Sequence, residues 1–131
     1  MTVNTFDPNA RPAELDPSLA RALLERVGDV GDESAIELNP EEQLRFAPLV
    51  THGQWLEVAG QLSTEECTAL VKIFTLGEMT FPGWIAEDKS AVIPLVKALK
   101  AAGGYDKALT RWIKAHTSNK FLPHGSLADR L

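Results

Sequence analysis

The spacing of apolar residues predicts an all-α fold, a compact bundle of five or six short helices with no sheet. Three observations carry that expectation. Apolar residues recur at three- and four-residue intervals in separate stretches, no stretch alternates with a period of two, and proline and glycine fall between the periodic stretches. The chain has 131 residues, 44% hydrophobic and 24% charged, which suits one domain with a core of its own. That composition excludes a collagen, a disulfide scaffold and wholesale disorder.

The elements follow in order. Residues 1–14 mix Asn, Asp, Pro and Thr without period and read as a flexible lead-in to a single helical domain over 15–131. Asp16-Pro17 is a helix start, with an oxygen to cap a free N–H and a proline that loses no needed donor. Leu19, Ala20, Leu23, Leu24 and Val27 make its stripe, and Gly28 supplies a stop. Residues 29–38, with Gly31 and four carboxylates, read as a solvated loop. Asn39-Pro40-Glu41-Glu42 repeats the start chemistry ahead of Leu44, Phe46 and Ala47, and Pro48 is expected to kink or end that helix. Leu49 to Leu62 is expected as a second short helix, weakened by Gly53 and Gly60.

Ser63-Thr64-Glu65-Glu66 is a capping box. Cys67, Leu70, Val71 and Phe74 share one face of the helix that follows, and Ala69, Ile73 and Leu76 share another. A helix apolar on two faces belongs in the centre of a bundle. Gly77 to Gly83 is expected to end it, with Pro82-Gly83 as the turn. Ser90 is expected to cap a helix over Ala91 to Ala102 that carries Pro94 in its first turn and stops at Gly103-Gly104. Tyr105-Asp106 opens a last helix to about Thr117, with Tyr105, Ala108, Leu109, Trp112, Ile113 and His116 on its apolar side. The tail 118–131 turns at Phe121 to Gly125 and can add a final helical turn over Ser126 to Leu131.

The net charge of −5 hides an asymmetry. Residues 1–88 hold five cations against 16 carboxylates, a net of −11; residues 89–131 hold eight cations against two, a net of +6. Lys107, Arg111 and Lys114 lie on one side of the last helix, Lys97 and Lys100 on the preceding one, and Lys120 just beyond. If those helices form a hairpin the cations merge into one patch able to attract phosphates or an acidic partner. The alternative is a solvated face whose field the acidic half partly cancels.

The chemistry-bearing residues point away from catalysis, and no catalytic, cofactor or metal residue is assigned. Cys67, the one cysteine, sits in an apolar face and reads as a core residue rather than a nucleophile. His52, His116 and His124 have no metal-ligand spacing. Glu87-Asp88 reads as a solvated helix start rather than an acid–base pair. The glycines form no phosphate loop. With one cysteine, no secretory pattern at the N-terminus and no long apolar run, a cytoplasmic protein without membrane contact is expected.

The expected function is that of a small non-catalytic accessory or regulatory protein working through protein–protein contact, with a homodimer compatible. The candidate surface is Trp84 on its loop, Lys107, Arg111, Lys114 and Lys120, and the apolar tail residues Phe121 and Leu122 with His124. It would act by apolar anchoring inside a charged rim. For Trp84 and the tail the competing expectation is burial in the domain's own core. The alternative function is nucleic-acid or anion binding by the basic stretch Lys97 to Lys120.

Overall fold

Among the described residues of the computed structural model, four of the six helices begin on a side chain that accepts an otherwise orphaned backbone N–H. The structure describes residues 15–28, 30 and 35–123. Asp16 caps α1 (Pro17–Val27) and Asn39 caps α2 (Pro40–Val50). Ser63 caps α4 (Thr64–Thr80) and Asp106 caps α6 (Lys107–His116). In α2 and α4 the bond is reciprocal, because Glu42 and Glu66 return their carboxylates to the cap N–H groups. These starts lie where the sequence puts them. The remaining helices are α3 (Trp55–Val58), continued by a 3₁₀ turn over Ala59–Gln61, and α5 (Val92–Ala101). The described residues include no strand, so the expected all-helical class holds.

The centre is α4, as its two apolar faces imply. Leu70, Val71, Ile73, Phe74 and Leu76 are fully buried, with α1, α5 and α6 packed around it. An aromatic chain runs across the core from Trp55 to Phe74 to Trp84 to Phe81, with ring centroids 5.6, 6.2 and 5.1 Å apart. Both core indoles are satisfied: Trp55 donates to the Leu49 carbonyl at 2.7 Å and Trp84 to that of Gln43 at 3.0 Å.

Several boundaries depart from expectation. The second helix runs through Pro48 to Val50. The carbonyl that Pro48 fails to serve is that of Leu44, on a side of the helix where Leu44 is 77% exposed and water can replace the bond. The expected helix over 49–62 is therefore a turn followed by α3 and its 3₁₀ extension. The loop over 29–38 is not simply solvated, since Val30, Ile36 and Leu38 lie in the core. The central helix passes through Gly77 to Thr80. Gly77 is a seat rather than a stop: a Cβ there would meet the Trp84 ring at 2.4 Å. The next helix starts one residue after Ala91, although Ser90 does the capping work by accepting from the Val92 N–H at 3.1 Å.

Trp84 is therefore not a surface anchor. It is 1% exposed, held in a 3₁₀ turn over Pro82–Trp84 and plugged against α4. The tail follows the same logic as far as it is described: Leu122 is fully buried, Pro123 is buried and Phe121 half-buried. The lead-in over 1–14, His124 and the final helical turn lie outside the described residues. Among the described residues, no helix is long and apolar enough to cross a membrane.

Candidate functional site

Where α4 ends, the chain turns outward and leaves a cleft. Trp84 faces inward, which turns its neighbour Ile85 out to 62% exposure. Met79, on the last turn of α4, is 50% exposed. After α6 the chain returns across this end as a tight turn, in which Asn119 N–H donates to Thr117 Oγ1 and Asn119 Oδ1 accepts from Phe121 N–H, both at 3.0 Å. Asn119 Nδ2 ties the turn to the 81–91 connection by donating to the Glu87 carbonyl at 3.0 Å. The space enclosed is about 470 Å³, within the range of small-ligand sites. Met79, Ile85 and Phe121 form its apolar walls; Glu87, Ser118 and Lys120 form the polar ones.

A carboxyl group also lines the cleft. Glu78 is 6% exposed. Its Oε2 accepts from the Ser90 hydroxyl at 2.5 Å, and Asn119 Nδ2 reaches its Oε1 at 3.4 Å. Burial raises the Glu78 pKa to about 7, against the two hydrogen bonds, which pull it down. The described structure places no cation against it. Glu87, at the rim, is exposed and adopts φ 52°, a left-handed conformation uncommon for a side chain of this size.

The residues singled out from sequence divide. Lys120 and Phe121 line the cleft. Lys107 and Arg111 are exposed on α6 and Lys114 is half-buried there, away from the cleft. Trp84 and Leu122 are core. Lys97 and Lys100 lie on α5, and α5 and α6 each pack chiefly on α4 rather than on one another. Lys100 sits over the Tyr105 ring at 5.4 Å. The ion pairs Arg21–Glu66 and Arg26–Glu42 stay within the acidic half.

Other candidates keep structural roles. Cys67 is 3% exposed and sits 3.9 Å from the Ala59 carbonyl; burial, and then the Glu66 charge, raise its pKa. His116 stacks on Trp112 with centroids 4.1 Å apart, and its Nδ1 lies 2.7 Å from the Trp112 carbonyl. Lys72 approaches the Trp112 ring at 5.4 Å, so this indole is packed rather than offered to a base. Among the described residues no three His, Cys, Asp or Glu side chains are grouped to hold a metal.

Sequence reasoning missed Glu78, Met79, Ile85 and Asn119. The signal for Glu78 was present. Val71, Phe74 and Glu78 are spaced i, i+3, i+7, which puts a carboxyl on the apolar face once the helix is carried past Gly77. Compared with known proteins, the chain matches no family model, no curated protein and no solved structure.

Proposed function

We propose that this chain is a small non-catalytic interaction protein that binds another protein through the cleft at the end of α4. One observation carries the reading. Two of the largest exposed apolar side chains, Ile85 and Met79, stand together on one concavity beside a polar rim of Lys120, Ser118 and Glu87. Such an arrangement, an apolar centre with a polar edge, is what a partner-binding surface needs. The anchor is thus Ile85 and not its neighbour Trp84.

A photo-crosslinking residue at position 85 tests this against one at position 56, where Leu56 is 54% exposed outside the cleft. The expected result is one protein adduct from position 85 and none from 56, suppressed by unlabelled wild-type protein but not by unlabelled Ile85→Glu. Identical adducts from both positions, or suppression by both competitors, would overturn the reading.

Binding of nucleic acid or another polyanion is the second reading, favoured by the exposed Lys107 and Arg111. It predicts oligonucleotide binding that weakens steeply with salt and is lost in Arg111→Glu. Absence of binding at low salt removes it.

A further inference from the structure

Resting on the protein-binding reading, we propose that the cleft receives the side chain of a partner's lysine, with its stem along Met79, Ile85 and Phe121 and its ammonium on Glu78. Three observations point to that chemistry. First, Glu78 is a carboxyl group nine-tenths buried on the wall of an open cleft. A carboxylate offers about four acceptor positions, and two donors reach this one, the second at 3.4 Å. The donor that best completes a buried carboxylate is a cation. Second, Met79, Ile85 and Phe121 line the same cleft as Glu78, and they offer apolar surface that a four-carbon stem can lie along and a small hydrated cation cannot use. Third, Ser90 donates to Oε2 at 2.5 Å and Asn119 Nδ2 reaches Oε1 at 3.4 Å, so each oxygen already faces a donor and the pair is not open to a two-pronged grip. A guanidinium gains its advantage by gripping both oxygens at once, whereas an ammonium acts as a point charge and needs one.

The charged groups that share the cleft are Glu87 and Lys120. Glu87 adds a second carboxylate at the mouth. Lys120 opposes an incoming ammonium but can pair with a carboxylate beside the partner's lysine. His116, at the end of α6, turns its ring to Trp112. Because Glu78 ionises near neutrality, an ammonium that binds its charged form expels a proton, and affinity rises with pH.

The test is a ¹H–¹⁵N NMR titration of the full chain with Nα-acetyl-lysine methylamide, its arginine counterpart, n-pentylamine and n-hexanoate. The lysine amide is expected to bind with a Kd on the order of 1 mM, to shift resonances of Met79, Ile85 and Asn119, and to bind more tightly than the arginine amide. Glu78→Gln keeps an acceptor for Ser90 and is expected to weaken binding roughly tenfold or more. Between pH 6 and 8 affinity is expected to rise roughly tenfold as Glu78 ionises. That rise should persist in Glu87→Gln and Lys120→Met and vanish in Glu78→Gln. Equal binding of hexanoate, unchanged affinity in folded Glu78→Gln, or no shift at any of the three residues would overturn the proposal. Tenfold tighter binding of pentylamine than of the blocked lysine would overturn it too, by moving the ligand from a protein to a free amine. The two readings fail separately: crosslinking from position 85 survives the loss of lysine binding if the partner uses apolar contacts alone.

Discussion

The two ends of α4 use the same residue type in opposite ways. At the start, Glu65 and Glu66 lie in the first turn, where the helix dipole favours negative charge, and Glu66 closes the capping box and meets Arg21 at 3.2 Å. The Ser63 N–H and Arg21 hold the Glu66 carboxyl below its ordinary range. At the end, Glu78 occupies the last turn, where the dipole disfavours a carboxylate, and burial raises its pKa. The first end stabilises the fold. The second costs stability at neutral pH, and on the proposed reading that cost is kept for binding rather than for folding.

The largest effect comes from breaking the packing that closes the second end. Trp84→Ala removes a fully buried ring seated on Gly77 and takes the indole donor from the Gln43 carbonyl. It should destabilise the chain by about 3–5 kcal/mol in urea unfolding. A loss under 1 kcal/mol would mean that Trp84 is not the plug it resembles.

Next is the ionisation of Glu78. Its carboxyl titrates near 7 in the fold and near 4.5 unfolded, so between those values the folded state holds the extra proton. Stability from this group is complete at the acid end of that window and is lost as pH rises through 7, about 3 kcal/mol for the whole shift. Glu42, Glu65 and Glu66, whose pKa values are lowered, give the opposite slope below their unfolded values. Wild-type stability should therefore peak near the acid end of that window, at about 4.5, and decline up to about 7, and Glu78→Gln should flatten that decline. Urea midpoints measured from pH 4 to 8 separate the two curves; coincident curves would deny Glu78 its raised pKa.

Gly77→Ala sets helix propensity against space. Alanine gains about 1 kcal/mol within a helix, but its Cβ would stand 2.4 Å from the Trp84 ring. Displacing that ring should win, for a net loss of about 1–3 kcal/mol by thermal unfolding. Ser63→Ala, at the favourable end, should cost about 1 kcal/mol, because one capping bond goes and the rest of the helix start remains.

These contrasts also explain what the sequence made legible. A helix start is local chemistry: Asp16, Asn39, Ser63 and Asp106 each cap their own chain two or three residues on, so the motif contains its own partners. The end of α4 is not local. Gly77 reads as a terminator until Trp84, seven residues later, is seen packed against it. Ile85 becomes a surface residue only because Trp84 is not one. Asn119 reaches Glu78 from 41 residues away, and no spacing rule joins them. Lys120 and Phe121 were found because a cation following the Lys107, Arg111 and Lys114 stripe, and an apolar residue beside it past the helix, stand out in the sequence.

Cys67 lends itself to timing the first end. It is the chain's one thiol, closed off at 3% exposure in the opening turns of α4. At that exposure a thiol reagent gains full access when that turn lifts from the core, so labelling tracks such openings. The labelling rate is then a clock for the opening equilibrium, read in the native protein without denaturant.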